Sequence, residues 1–245
     1  MNTSLMAAAP ETLHDAGPAL VHYVPIATTC ISAAFVIALL LRASKKNWPA
    51  HLMWWAFGVT AYGLGTALES AVTLFGNSPE LTRWWYWAGA ILGGYPLATG
   101  TVYLLNKRRT ANVLTAASLV VVGVATVAVF LTPLNVEAVQ AHRPSGDVIG
   151  WRWIRYLTPF INIYAAVFLI GGAVWSSLKF RKSPEHRDRA MGTALIACGA
   201  LLPGIGGSMA KAGIVEGLYV GEFCGIILIW LGYEFCIRNR APAPA

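Results

Sequence analysis

Seven apolar stretches, each about as long as a bilayer-spanning helix, take up most of this chain and leave almost nothing between them that could build a water-soluble domain. A tilted helix needs ~17–25 mostly apolar residues to cross about 30 Å of hydrocarbon. The sequence offers such spans at residues 21–41, 51–75, 84–105, 112–132, 153–178, 190–212 and 215–237. The other architecture that satisfies its backbone inside a bilayer is a closed barrel, and the ~10-residue alternating segments a barrel needs are absent. The expected fold is therefore all-α: an integral membrane seven-helix up-and-down bundle. A short outer tail (residues 1–20) precedes one transmembrane domain (21–237), and a short cytoplasmic tail (238–245) follows it.

Hydrophobic residues make up 56% of the chain and charged ones 12%, against about 25% charged in soluble domains. The net charge of +7 follows from topology rather than from nucleic-acid binding. Of the 18 Lys and Arg, 13 fall at alternate span ends: Arg42, Lys45 and Lys46; Lys107, Arg108 and Arg109; Lys179, Arg181, Lys182, Arg187 and Arg189; Arg238 and Arg240. Arg83, Arg143, Arg152, Arg155 and Lys211 occupy the opposite side. The positive-inside rule then places the N-terminus outside and the C-terminus in the cytoplasm, in a bacterial inner membrane. The first twenty residues lack the basic and apolar regions of a cleavable signal, so span one is expected to direct its own insertion.

Short turns, among them Gly76-Asn77-Ser78-Pro79, make consecutive helices antiparallel neighbours. The long loop at residues 133–152 is expected to cap the bundle on the outside. Eight of the ten tryptophans gather near the two interfaces, Trp48, Trp54 and Trp55 at one and Trp84, Trp85, Trp87, Trp151 and Trp153 at the other, as an aromatic belt. Gly217, Gly221 and Gly225 form a small-residue stripe expected to pack tightly within the molecule. Pro203, amid the glycines of span six, predicts a kink or a break there; Pro96 and Pro159 make the same suggestion for spans three and five.

Ionisable groups inside spans are costly and mark function by default. Glu69 in span two and Glu222 in span seven lie six to seven residues from the outer ends, so at 1.5 Å per residue both sit roughly 10 Å below the outer surface. Candidate ligand-binding partners at that level are Trp85, Tyr86, Arg155, Tyr156 and Lys211, around a polar cavity opening outward. No catalytic or metal site emerges. The five histidines lie at span ends or in loops, which argues against haem. Asp15, Asp147 and Asp188 are isolated, and span seven has no lysine for a retinal Schiff base. Cys30, Cys198, Cys224 and Cys236 form no CxxC pair. No cofactor is expected, with a bound lipid or pigment left open.

The basic run Phe180-Arg-Lys-Ser-Pro-Glu-His-Arg-Asp-Arg189, followed by Gly192 and Gly199-Ala-Leu-Leu-Pro203, resembles the fifth loop and sixth span in the N-terminal seven-helix sensor region of some bacterial histidine kinases. The turn from Arg42 to Asn47 and the Trp85-Tyr86-Trp87 start of span three are similar in character. No kinase or cyclase output is expected after Arg240, so the resemblance implies signalling through a partner and carries over no functional residue. The resulting expectation is a non-catalytic sensor-like or receptor-like module that binds a small or lipidic ligand and acts through a partner membrane protein or as a homo-oligomer. A structural accessory subunit of a respiratory or photosynthetic complex and a small transporter remain as alternatives.

Overall fold

Of the seven long helices, the second differs from the rest in apolar content. The structure, a computed structural model, describes residues 19–238; the outer tail to residue 18 and the end of the cytoplasmic tail, with Arg240, lie outside the described residues. Helix α1 (Val24–Ser44) follows a 3-10 turn at Leu20–Tyr23, α2 is Ala50–Phe75, α3 is Pro79–Leu105, α4 is Arg108–Leu131, α5 is Arg152–Phe180, α6 is Arg187–Lys211 and α7 is Glu216–Arg238. Six of these, all but α2, are long and apolar enough to cross a membrane. Among the described residues there is no strand, so the fold is all-α, and several apolar helices mark a multi-pass membrane protein.

Helix α2 faces protein on two sides. One buried stripe (Leu52, Ala56, Val59, Thr66, Glu69) and a second (Gly58, Ala61, Gly65) pack against α1 and α3. Helix α4 is the opposite case. Its buried stripe runs Ala111, Thr115, Val122, Ala125, Val129, while Val113, Val120, Val124, Val127 and Leu131 stay exposed, an apolar outer face suited to lipid. Consecutive helices pack side by side, and α1 closes the ring on α7.

The helices overrun the apolar stretches at several ends. Arg108 and Arg109 lie inside α4, since long basic side chains reach the interface from within a helix. On the other side Ser78 caps α3, its hydroxyl accepting from the Leu81 N–H at 3.1 Å, with Pro79 at the first helical position.

Span six is not broken: α6 runs as one α-helix through Pro203. The break sits in α3, where a π-helical turn at Tyr86–Leu92 ends in Gly93, with φ −3° and ψ −94°, and helix resumes at Tyr95 with Pro96 behind it. Helix α5 carries a second π-helical segment at Ala166–Gly171, beginning beside Ala165, whose Cβ lies 2.9 Å from where a Gly94 Cβ would be. Neighbouring helices explain why Pro203 is tolerated. Proline deprives the Gly199 carbonyl of its helical donor, and that carbonyl instead meets the bare backbone of Gly225, 2.8 Å from the position of a missing Cβ.

Gly225 belongs to a wider contact. Gly192, Gly199 and Gly206 of α6 lie against Gly232, Gly225 and Gly217 of α7, each within 2.5 to 2.6 Å of a facing carbonyl oxygen if it carried a Cβ. The stripe anticipated on span seven is thus used inside the molecule, where it lets two backbones touch.

The loop between α4 and α5 is ordered by backbone pairing between Leu134 and Ile149 and between Gln140 and Arg143. Asn77, in the α2–α3 turn, pins the second hairpin by donating to the carbonyls of Gln140 (2.8 Å) and Arg143 (3.0 Å). Thr82 steadies Asn77 by donating to its Oδ1 at 2.9 Å. Arg83 donates to Phe130 O and Thr132 O at the end of α4, where a cation suits the negative end of the helix dipole.

Candidate functional site

Helices α2 and α3 run antiparallel, and their register is set by two glycines: a Cβ on Gly65 would lie 3.5 Å from the Gly89 Cα. Four residues further along α2 is Glu69, and four residues back along α3 is Trp85. One helical turn from that contact these two are placed to face each other. They do: the Trp85 indole N–H donates to Glu69 Oε1 at 2.8 Å.

Glu69 is 1% exposed, and the carboxyl of Glu222 on α7 lies close enough to interact with it. The equal depth read from the sequence therefore becomes direct contact. Beneath the pair Tyr62, two turns below Glu69 on α2, donates its hydroxyl to the Glu222 backbone carbonyl at 2.7 Å and so ties α2 to α7. Towards the start of α1 Tyr219, one turn from Glu222, packs edge-on against His22 with ring centroids 5.5 Å apart. The Thr73 hydroxyl donates to the His22 carbonyl at 2.9 Å and fastens the start of α1 over the site.

No described cation reaches either carboxyl. Lys211 is exposed at the end of α6. Arg155 pairs with Asp147 at 2.6 Å on the outer loop. Arg83 pairs with Glu80 and caps α4; Arg143 is engaged by Gln140 and by the Ala210 carbonyl. Both Glu69 Oε2 and Glu222 Oε2 are buried with no other hydrogen-bond partner. Two carboxylates about 4 Å apart repel by about 4 kcal/mol at an effective dielectric constant of about 20, so a bare doubly ionised pair would weigh against the packing of α2 on α7.

Of the residues anticipated from the sequence, Glu69, Glu222 and Trp85 converge. Tyr86 is buried elsewhere, its hydroxyl 2.7 Å from that of Thr158 on α5. Tyr156 is 68% exposed on the outside of α5, and Arg155 and Lys211 stand apart as described. Sequence reasoning missed Tyr62 and Tyr219, although their signal was present: seven residues before Glu69 and three before Glu222 keep both tyrosines on the faces of the carboxyls. The expected outward cavity takes the form of an enclosed contact. The broad grooves on the surface lie instead between α4 and α5, apolar and lined by residues such as Val120, Val124, Trp153 and Phe160. Among the described residues no three His, Cys, Asp or Glu side chains gather to hold a metal.

Comparison with protein-family models, with curated proteins and with solved structures returns no match to this chain.

Proposed function

We propose that this chain is a non-catalytic, seven-span sensor-like protein of the bacterial cytoplasmic membrane, with its N-terminus outside. Its input site is the Glu69–Glu222 contact, and its output passes through a partner membrane protein. One observation carries the reading: two carboxyls from helices far apart in sequence are brought together inside the bundle with no described cation beside them. Intramembrane carboxyls are expensive and are retained where they do work. The pair joins α2 to α7, and α7 is locked along its length to α6. A change at the pair is therefore transmitted to the helices that reach the cytoplasmic face at Arg187, Arg189 and Arg238.

Span count and orientation belong to this proposal. The thirteen-to-five division of basic residues supports the orientation, and the 26 residues of α2, enclosed by neighbours, support a seventh span of lower apolar content. A transporter is the second reading, favoured by the break of α3 at Gly93 and Gly94, since interrupted helices line transport sites.

The test is purification from native membranes of the wild type beside Glu222→Ala. A sensor yields a partner or small ligand whose recovery depends on Glu222. Recovery of the same respiratory or photosynthetic subunits with both proteins would make the chain an accessory subunit instead.

A further inference from the structure

We propose that the ligand resident at this site is a proton, held between the Glu69 and Glu222 carboxyls and released towards the outer side. This deepens the sensor reading and rests on it for the meaning of the signal, though not for the chemistry.

The donors and acceptors around the pair do not balance without it. The indole N–H of Trp85 occupies Glu69 Oε1, and the Tyr62 hydroxyl is committed to a backbone carbonyl. That leaves Oε2 of both glutamates buried and without a donor. Unpaired buried acceptors are rare in folded proteins. One proton supplies the missing donor: one carboxyl becomes O–H and donates to the other, and the pair carries at most one negative charge.

Among the described residues, the groups packed around the contact offer no other source of positive charge. From α2 it meets Tyr62, from α3 Trp85, and from α7 Tyr219 and Cys224. From the start of α1, His22 lies behind Tyr219. Arg143 of the outer hairpin stands on the far side of Tyr219 and is held by Gln140 and Ala210. Helix α6 presents bare backbone to this end of α7, Leu202 O against Gly221 and Gly206 against Gly217, with Lys211 exposed beyond it.

A compact metal cation fits less well. Sodium-sized ions take several oxygen ligands, whereas Glu69 Oε1 is already engaged by the Trp85 indole N–H, a donor that a cation would repel. Release of the proton breaks one carboxyl O–H bond, leaves its electron pair on the carboxylate and hands the proton to water. Two carboxylates then face each other across α2 and α7, and the outward path runs past Tyr219 and His22. Repulsion between them parts the two helices, which is the event a partner would read.

The experiment is infrared difference spectroscopy on the purified full-length chain in lipid vesicles, in choline, potassium and sodium chloride. The wild type should show the carbonyl stretch of a protonated carboxylic acid near neutral pH. That band should move in D2O and disappear reversibly as the medium is made alkaline. Glu69→Gln and Glu222→Gln each supply a permanent N–H donor in place of the proton, so both should fold with the wild-type elution profile and lose or shift the band. A wild type with no such band overturns the proposal whatever the variants do. So does a band unchanged in both variants, and so does a band removed by sodium but not by choline, which would assign the site to a metal cation. If the band is present but partner recovery ignores both variants, the proton site stands and the sensor reading falls; dependence of recovery on Glu222 without a band gives the reverse.

Discussion

Trp85 and Glu69 meet at 2.8 Å, each one helical turn from the point where Gly65 and Gly89 let the backbones of α2 and α3 run side by side. A Cβ at Gly65 would meet the Gly89 Cα at 3.5 Å, an ordinary van der Waals contact, so the two backbones run close together beside the polar contact. On the opposite side of Glu69, Tyr62 ties α2 to the Glu222 backbone.

Trp85→Phe keeps the ring and removes the N–H, which leaves Glu69 Oε1 as a further unpaired buried acceptor. A buried group stripped of its partner costs about 1–3 kcal/mol. The thermal unfolding midpoint in detergent should fall accordingly. In a Glu69→Leu background the same change should cost much less, because no acceptor remains to be orphaned. Equal losses in both backgrounds would show that the hydrogen bond is energetically silent.

Lys211 and Glu69 are separate in space, so Glu69→Gln and Lys211→Met should add within about 0.3–0.5 kcal/mol when combined. Glu69→Gln with Glu222→Gln should not. Each single change leaves a carboxyl facing an amide, while the double variant sets two amides against each other, and the departure from additivity should exceed about 0.5 kcal/mol. Thermal melts of the four proteins in each cycle decide both points.

The α6–α7 seam makes a sharper packing prediction. A Cβ at Gly199 would lie 2.6 Å from the Gly225 carbonyl oxygen, and one at Gly192 2.5 Å from that of Gly232; neither backbone can yield without moving a helix. Gly199→Ala and Gly192→Ala should each destabilise by about 1–3 kcal/mol, the usual cost of overpacking. Gly204 and Gly207 lie on the same helix, and a Cβ at either would have nothing within 4 Å. Both should become slightly more stable as alanines, by about 0.5–1 kcal/mol. Similar melts for all four variants would mean that the seam is looser than the structure has it.

How much of this was legible in the sequence depends on the range of the cause. The ends of the apolar runs locate each helix to within a few residues, because burial in hydrocarbon is a local property of composition. The depth of Glu69 and Glu222 is equally local, a matter of counting residues from a helix end. Their contact is not, since it depends on which faces of α2 and α7 turn inward, and that is fixed by glycine registers such as Gly65 with Gly89 that involve two helices at once. Proline misled for the same reason. Pro203 has the stronger breaking tendency in isolation, but the facing backbone of Gly225 accommodates it, whereas Gly93 and Gly94 ahead of Pro96 interrupt α3.

Orientation is open to a direct test. Ser183, exposed in the α5–α6 turn, lies on the basic side, and Ala141, exposed at the tip of the outer hairpin, on the other. Ser145 would be a poorer outer reporter, because it is half-buried and its hydroxyl accepts from the Asp147 N–H at 3.3 Å. In intact cells an impermeant thiol reagent should label Ala141→Cys and leave Ser183→Cys protected until the membrane is opened, scored against a background in which Cys30 and Cys198 are replaced. Labelling of Ser183→Cys alone would invert the molecule and place the carboxyl pair near the cytoplasm.

Bending of the bundle should depend on α3 and not on α6. Pro203→Ala returns an N–H to a helix that is already continuous, so insertion, thermal stability and partner recovery should change little. Gly94→Ala is different. Its Cβ would meet that of Ala165 at 2.9 Å, forcing the broken segment of α3 away from the π-helical turn of α5, and any response that travels through α3 should be lost or locked while the protein still inserts. Spin labels at exposed positions on the two halves of α3, such as Trp84 and Leu104, would read the bend as a distance distribution. If acid and alkaline media give the same distribution in the wild type, α3 is a fixed bend, and the movement that follows the carboxyl pair must be confined to α2 and α7.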